Sequence, residues 1–213
     1  MSSLKSKTEL VKKYPTEQVF VVPFFDTKRV PDKFTPTENL KISLNSWEQR
    51  GRFVFRHDAE YNAILQQIIP YILVTDAKGQ KVYITERIAG EERLKGSLAL
   101  GCGGHINPCD ADGNNIILNA AIREMNEELN IKQKDDRLHH IGYVRDLSST
   151  TSDHMGIVIA IKADSVSVRE TDNLAGRWMT LNELIAEYGR FESWARHIID
   201  YLYTSHSFNK IFI

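Results

Sequence analysis

The chain has 213 residues, and its 27 lysines and arginines against 28 aspartates and glutamates give a formal net charge of −1. This near-neutrality argues against a protein that mainly coats nucleic acid or an anionic membrane, and a 42% hydrophobic fraction argues against disorder. The longest apolar stretches, Ile68 to Val74 and Met155 to Ile161, are far shorter than the roughly 18 residues of a membrane-spanning helix. No secretory signal is visible, and Cys102 and Cys109 are too few for a disulfide scaffold, so we expect a cytoplasmic location.

Residues 1–60 are the least regular part of the chain. Glu17 to Phe25 and Gly51 to Arg56 are predicted strands, and Pro23 indicates that the first is an edge strand or ends there. So short a segment buries too little surface for a core of its own. We therefore expect an N-terminal extension over 1–60 that packs on the main domain over 61–213, adds strands to it and shapes its ligand cleft or a dimer contact.

Three local patterns follow the extension. Asp58 to Ile68 carries an apolar stripe at helical spacing, which predicts a helix that is stopped by Pro70. Tyr71 to Thr75 and Lys81 to Glu86 predict a β-hairpin around a polar turn. Leu98 to Cys102 predicts a strand that runs into a pair of glycines.

The rest of the chain alternates between predicted helices and strands. These elements are a helix at Ile116–Ile131, strands near His139–Val144, Met155–Lys162 and Arg177–Met179, and helices at Leu181–Tyr188 and Glu192–Tyr203. Strands that come before, between and after separated helices indicate a layered α/β domain. We therefore expect an α/β fold with a central mixed β-sheet.

The helix predicted over Ile116 to Ile131 has the clearest helical period in the chain, with one apolar face. Glu124, Glu127 and Glu128 lie together on another face, because spacings of three and four residues bring side chains onto one side of a helix. Such a cluster is either a solvated acidic surface or an oxygen ligand set for Mg²⁺ or Mn²⁺. The helix has only one basic residue, Arg123, which can pair with Glu127 but cannot neutralise all three acids.

Two glycines upstream favour the metal site. A strand that runs into Gly103-Gly104 lets the main chain approach the acidic helix closely, because glycine has no side chain and tolerates unusual dihedral angles. A main-chain carbonyl at this point could complete an oxygen shell.

The string Arg123 to Ile131 (REMNEELNI), preceded by Gly103-Gly104, resembles the Nudix box, which ends in R-E-U-x-E-E-x-G-U with U aliphatic. The likeness extends more loosely over about residues 65–205. It implies an α/β/α sandwich that hydrolyses the diphosphate of a nucleoside diphosphate linked to another group. By this resemblance the metal ligands are the Gly103 carbonyl, Glu127 and Glu128. Glu124 is a ligand or the base that orients water, Arg123 is an electrostatic partner, and Mg²⁺ or Mn²⁺ is the cofactor.

The chain departs from the box in three places. The loop from His105 to Asn114 is longer by five residues, and Asn115 stands eight before Arg123, where the box has a glutamate. Asn130 replaces the closing glycine, a mild change because asparagine also tolerates a left-handed helix end. Asn115 is well placed to cap the helix. The missing carboxylate could come from Asp110 or Asp112, although the segment around them is more simply a turn.

Further residues are candidates for contacts with the substrate. Gly104 and His105 directly follow the predicted strand, and His105 either touches a phosphate oxygen or turns the loop. Asp153 is a candidate for the additional acid that many Nudix proteins bring from this region, and Arg87 could meet a phosphate. Alternatives for these two roles are Glu170, Asp172, Arg93 and Lys95.

Three functions stay open from the sequence. The first is a Mg²⁺-dependent pyrophosphohydrolase that acts on a small nucleotide or organic diphosphate, with no nucleic-acid or membrane partner; a homodimer is left open. The second is a Nudix-fold module that binds a nucleotide or protein without turnover, suggested by Asn115 and the enlarged loop. The third is the isomerase branch of the fold, for which neither Cys102 nor Cys109 has the expected setting.

Overall fold

The structure is a computed structural model that describes residues 5–40, 42–89, 95–133, 137–149, 151–169 and 171–205. Its strands are β1 (Gln18–Pro23), β2 (Lys33–Pro36), β3 (Arg52–Phe55), β4 (Leu65–Asp76), β5 (Val82–Arg87), β6 (Leu98–Ala99), β7 (Cys102–Gly103), β8 (Leu129–Gln133), β9 (His139–Arg145), β10 (His154–Val168) and β11 (Leu174–Met179). Its helices are α1 (Lys7–Lys13), α2 (Phe24–Thr27), α3 (Leu44–Arg50), α4 (Arg56–Ala59), α5 (Ile116–Glu128), α6 (Leu181–Ala186) and α7 (Ser193–Thr204). Among the described residues, no helix has both the length and the apolar character needed to cross a membrane.

The strands form one mixed sheet, as the sequence predicts. Its main path runs β11–β5–β4–β10–β9–β2, and the remaining strands pair along β4, β5, β10 and β1. The two long central strands, β4 and β10, are parallel, with Tyr71 opposite Val158. The other described pairs are antiparallel, including the predicted hairpin of β4 and β5, where Val74 is opposite Tyr83.

Two helical layers cover the two faces of this sheet. Successive side chains of a strand point to opposite faces. In β4, Ile68 and Ile72 therefore pack in the cluster that contains Trp47 of α3 and the apolar face of α5, whereas Leu73 packs in the cluster that contains Ile198 of α7. The predicted α/β/α sandwich is confirmed, and α5, which carries the acidic residues, forms one of its outer layers.

Strands from the first 60 residues belong to the same sheet. β1 pairs with β3 and with the start of β4, and β2 pairs with β9. The fully buried Arg145 of β9 donates hydrogen bonds to the main-chain oxygens of Thr27 and Val30, both at 3.3 Å, and to Oε1 of Gln66 at 2.8 Å. Burial lowers the pKa of Arg145. The first 60 residues are thus joined to the rest of the chain through strand pairing and through a buried arginine.

The helix predicted over Asp58 to Ile68 is wrong. The short α4 ends before Tyr61, whose φ of +59° is incompatible with a continuing helix, and the chain then enters β4. Because β4 is buried on both faces, its sequence from Ile68 to Val74 is a continuous apolar run without the alternation of a half-exposed strand. Pro70 lies inside β4, where one edge of the strand is unpaired: β1 pairs up to Gln67 and β7 pairs from Tyr71.

Two other boundaries differ from prediction. The strand predicted over Leu98 to Cys102 is divided into β6 and β7 at Gly101, whose φ is +150°. The acidic helix ends at Glu128, and the chain continues directly as β8, in which Asn130 is opposite Ser167 of β10. Asn130 therefore has a strand conformation and does not close the helix in a left-handed one.

Gly101→Ala is expected to lower the free energy of unfolding by about 3 kcal/mol or more. An added Cβ would lie 1.9 Å from the main-chain oxygen of Ile72, in addition to the strain of the positive φ. Gly96→Ala is the matched control, because φ is +79° there but no atom of the described residues lies within 4 Å of the added Cβ, so we expect a loss of only about 1 kcal/mol. Urea unfolding measures both, and equal losses would contradict the steric account.

Candidate active site

A cleft of about 1010 Å³ opens at Ile69 of β4, in the gap between the partners β1 and β7. Its walls come from α1, α4, β5 to β7 and the start of α7. Several residues predicted from the sequence lie in these walls, namely Arg87, Gly103, Gly104, His105 and Glu128. A second depression of about 390 Å³, over β8 and β10, has no acidic residue in its lining.

Arg123 of α5 connects the acidic helix with the segment after β7. Its Nε and Nη2 donate to the two carboxylate oxygens of Asp110 at 2.8 and 3.0 Å, and Nη2 also donates to the main-chain oxygen of His105 at 2.8 Å. Its Nη1 donates to Glu124 at 2.8 Å and to Glu127 at 3.1 Å. The hydrogen bonds with Asp110 and then Glu124 raise the pKa of Arg123. Arg123 is therefore a permanent positive charge at the junction of helix, strand and loop.

Asp110 is buried within the enlarged loop and combines two roles. It lies in a 3₁₀ turn over Pro108–Ala111, where its carboxylate accepts a hydrogen bond from the main-chain N–H of Asn107 at 2.8 Å. The side chain of Asn119 on α5 donates to the main-chain oxygens of Asp110 and Asp112, both at 3.0 Å. The segment is thus a turn, as its composition suggests, and the same turn presents a carboxylate to Arg123.

The expectation that Asn115 caps α5 is wrong. Asn115 precedes the helix in a left-handed conformation, and its side chain makes no capping hydrogen bond. Glu48 of α3 instead accepts from the N–H of Ile117 at 3.0 Å.

Five residues separate Gly104 from Asp110, which is the spacing of the box, so the five additional residues lie after Asp110. Asp110 thus supplies to Arg123 the carboxylate that Asn115 lacks.

Glu124 lies against the main chain at Gly104. A Cβ added to Gly104 would be 2.4 Å from Glu124 Oε1, so only glycine permits this approach. Glu124 is 9% exposed, and burial raises its pKa although the charge of Arg123 opposes that shift. A buried carboxylate whose negative charge is incompletely compensated therefore stands next to the glycine pair.

The two remaining acids of the cluster have different surroundings. Glu128 lies in the cleft wall, whereas the side chain of Glu127 is 57% exposed and is not part of that wall. The pKa of the Cys102 thiol is raised by burial and further by the negative charges of Glu128 and Glu124, which places both acids near β7. Of the three predicted glutamates, Glu124 and Glu128 are therefore the ones that lie near Gly103 and Gly104.

The oxygen ligands that these residues provide determine whether a divalent cation can bind here. Among the described residues, no three His, Cys, Asp or Glu side chains stand together as a ready-made metal shell. Mg²⁺ does not need such a shell, because it is commonly bound by one or two carboxylates together with water and substrate phosphates. Glu124 and Glu128 supply hard oxygen donors, and the absence of a side chain at Gly104 keeps the approach to Glu124 open. The donor set fits a small divalent cation.

His105 is half-buried in a polar network in the cleft wall. Its Nε2 is 2.9 Å from Oε1 of Gln67, and its ring meets the ring of His154 edge to face with 5.4 Å between centroids. Burial, with the nearby charges of Arg56 and His154, lowers the pKa of His105 to about 2. The imidazole is therefore neutral and offers a phosphate no positive charge.

Asp153 has a buried carboxylate whose two oxygens already accept hydrogen bonds. Oδ2 accepts from the main-chain N–H of Tyr61 at 2.6 Å and from Gln67 Nε2 at 3.2 Å, and Oδ1 is 2.7 Å from Nδ1 of His154. Although burial opposes it, these bonds, above all that from His154, lower the pKa of Asp153. His154, and not Asp153, belongs to the cleft wall. Asp153 therefore affects the cleft only indirectly, by fixing side chains such as that of His154.

Glu192, at the start of α7, has no motif that marks it in the sequence, yet it lies in the cleft wall. The hydroxyl of Tyr71 donates to Glu192 Oε1 at 2.8 Å and accepts from the N–H of Leu100 at 3.1 Å. Tyr71 is consequently a buried support and not a stacking platform. Because 121 positions separate Tyr71 from Glu192, only the folded sheet brings them together.

None of the alternative candidates in the described part of the chain lies in the cleft wall. Lys95 and Asp172 are exposed and outside that wall, whereas Arg93 and Glu170 fall outside the described residues. Cys109 is exposed and is not part of the wall.

Asp110→Asn is expected to lower the free energy of unfolding by about 3 kcal/mol, because it leaves Arg123 without its bidentate carboxylate. Asn115→Asp is the matched control, since this residue makes no capping bond, and we expect a change within about 0.5 kcal/mol. Denaturant unfolding at neutral pH compares them. A larger effect at position 115 than at position 110 would reject the assignment of Asp110 as the partner of Arg123.

Below about pH 6, His105 is expected to reduce stability as the pH falls. Its folded-state pKa of about 2 is lower than the unfolded value near 6.5, so the unfolded chain binds the proton and the folded chain does not. The unfolding free energy of the native protein should fall by about 1.4 kcal/mol per pH unit relative to His105→Gln. Parallel stability curves for the two proteins between pH 6 and pH 4 would show that His105 is protonated in the fold.

Comparison with known proteins agrees with this geometry. The NUDIX domain family model matches residues 66–202. Protein YmaB of Bacillus subtilis (strain 168) is 32% identical over 166 residues, which cover 73% of this chain and 80% of that protein.

Two solved structures extend the comparison to the fold. Tm1382, a proposed Nudix hydrolase, superposes with a TM-score of 0.73 at 25% identity, over 89% of this chain and 100% of its own. DR0079 from Deinococcus radiodurans superposes with a TM-score of 0.51 at 16% identity, over 71% of this chain and 91% of its own, and is similar in fold alone. The matched region contains the glycine pair, the acidic helix and most of the central sheet, and on this basis the chain belongs to the Nudix family of hydrolases.

Proposed function

We propose that the protein is a Mg²⁺- or Mn²⁺-dependent pyrophosphohydrolase that cleaves the diphosphate of a nucleoside diphosphate linked to another group, or of a related organic diphosphate. One observation carries this proposal: Glu124, a buried carboxylate whose negative charge is incompletely compensated, lies against the main chain of Gly104. Glu128 lies nearby in the cleft wall. Carboxylates held this close to an open main-chain segment are suited to a small, hard cation.

In this proposal Glu124, Glu128 and the main-chain carbonyl of Gly103 hold the metal, and Glu127 is a further candidate ligand. A bound divalent ion would neutralise the diphosphate and activate water for attack on phosphorus. Arg123 keeps the acids in place, since its contacts with Asp110 and the His105 carbonyl anchor the helix to the glycine segment. Because Arg123 is always charged, it also reduces the repulsion between Glu124 and Glu127.

The charge of the cleft wall suits an anionic ligand. Basic side chains outnumber acidic ones in this wall, with Lys5, Lys13, Arg56 and Arg87 against Glu60, Glu128 and Glu192, and Arg56 is paired with Glu60. The volume of about 1010 Å³ lies at the upper end of the range for small-molecule pockets, which leaves room for a group on each side of a diphosphate. These features support a substrate larger than a simple nucleoside diphosphate.

The two alternative functions lose their main support. A module without turnover was suggested by Asn115, but Asp110 provides the carboxylate for Arg123. An isomerase of this fold requires a reactive cysteine, whereas burial and nearby acids raise the pKa of Cys102, and Cys109 is outside the cleft wall. Hydrolysis at the acidic helix is therefore the favoured activity.

Glu124→Gln and Glu128→Gln are each expected to lower kcat/KM by about 100-fold or more on a nucleotide-diphosphate panel assayed with Mg²⁺ or Mn²⁺. Glu127→Gln should act less strongly, because its side chain is largely exposed. Glu38→Gln, an exposed residue outside the cleft wall, is the control. Release of phosphorylated products measures turnover, and EDTA should abolish it. Turnover that persists in both Glu124→Gln and Glu128→Gln would reject the proposal.

A further inference from the structure

Asp153 and His154 form a buried pair where β10 begins. Nδ1 of His154 lies 2.7 Å from Asp153 Oδ1, and the two side chains are 11% and 5% exposed. The other carboxylate oxygen is fixed by the main chain of Tyr61 and the amide of Gln67. Since both oxygens are held, the carboxylate cannot rotate away from the imidazole.

These contacts determine which nitrogen of His154 carries hydrogen. An ionised carboxylate only accepts hydrogen bonds, so Nδ1 is protonated and Nε2 has the lone pair. In the described part of the chain no hydrogen bond to Nε2 is found, and His154 lies in the cleft wall. His105 differs, because Gln67 donates its amide N–H to Asp153 and so presents its oxygen to His105 Nε2, which donates to it and leaves the lone pair of His105 on Nδ1. His154 is thus the imidazole of the cleft wall that is supported by a carboxylate and carries its lone pair on Nε2.

The position of His154 connects it with the proposed diphosphate site. Its ring touches His105, which directly follows Gly104, and Gly104 in turn contacts Glu124. Glu192 is the other proton acceptor in this part of the wall, and desolvation raises its pKa although the hydrogen bond from Tyr71 and the charge of Arg87 oppose that shift. Its Oε1 is already bound by the Tyr71 hydroxyl, whereas Nε2 of His154 has no hydrogen-bond partner among the described residues. Among these groups, His154 is the stronger candidate for a proton acceptor beside the phosphates.

We propose that His154 is a catalytic residue, the general base that takes a proton from the attacking water; this rests on the proposed hydrolysis. Nε2 accepts the proton as the water oxygen forms its bond to phosphorus, and the bond from that phosphorus to the bridging oxygen breaks. The leaving phosphate departs with the electron pair of that bond, and the imidazolium then releases its proton to solvent. Asp153 is the positioning residue, which holds the tautomer and stabilises the imidazolium.

Kinetics of His154→Gln test the catalytic role, with a panel substrate that the native enzyme hydrolyses. Glutamine retains polarity but cannot take up the proton, so kcat should fall by about 10² to 10⁴-fold with KM within about threefold. His139→Gln, an exposed histidine on β9, is the matched control and should retain native kinetics. The proposal would be overturned if the kcat of His154→Gln stayed within threefold of native or if only its KM rose. It would also be overturned if kcat fell by this amount in Glu192→Gln and did not fall in His154→Gln.

An NMR measurement tests the same residue without turnover. In ¹⁵N-histidine-labelled native protein, His154 should show protonated Nδ1 and unprotonated Nε2, and Asp153→Asn should increase the opposite tautomer. Addition of α,β-methylene-ADP with Mg²⁺ should shift its Nε2 resonance. An Nε2–H tautomer in native protein, or an unmoved resonance, would overturn the role of His154 even where turnover exists. Absence of native turnover on the panel would reject the hydrolase proposal and this one together, whereas turnover that survives His154→Gln rejects this one alone.

Discussion

The candidate active site depends on one guanidinium group, that of Arg123. It donates to both oxygens of Asp110, to the main-chain oxygen of His105 and to two glutamates of its own helix. Hydrogen bonds between ions are stronger than those between neutral groups, and a bidentate pair also fixes direction. One side chain therefore joins the enlarged loop, the segment after β7 and α5. Without it, Glu124 would be a buried charge that has lost its positive partner, and the loop would keep the hydrogen bonds of Asn119 to the helix but lose its ionic contact.

The sheet provides the space in which these acids can act. β4 changes partners along one edge, from β1 to β7, and Pro70 lies in the unpaired interval, where its missing N–H costs no ladder hydrogen bond. Gly101 then bends the chain between β6 and β7 so that the glycine pair reaches the acidic helix. The cleft opens at this interruption, between the N-terminal extension and the main domain. A continuous ladder along β4 would close the place where the substrate is proposed to bind.

Much of this arrangement can be predicted from local patterns. The hairpin of β4 and β5, the acidic helix and the long β10 follow from periodicity and turn residues, and the family follows from the residues from Arg123 to Ile131. The start of β4 was mispredicted because a strand buried on both faces also fits a helical stripe. Counting back from Arg123 assigns the first glutamate of the box to Asn115, whereas counting forward from Gly104 assigns it to Asp110, one of the two aspartates that the sequence offers as substitutes. The positions of Glu192 and His154 in the cleft wall could not be predicted from the sequence, because residues distant in sequence surround them.

The bidentate contact predicts that Asp110 and Arg123 are energetically coupled and thereby hold the acidic helix against Gly103 and Gly104. A double-mutant cycle measures this coupling, with Asp110→Asn, Arg123→Met and the double variant compared by denaturant unfolding at neutral pH. The close, bidentate geometry at 2.8 and 3.0 Å predicts a coupling free energy of about 2 to 3 kcal/mol. A coupling below about 0.5 kcal/mol would contradict it, because the two residues would then contribute to stability independently of each other.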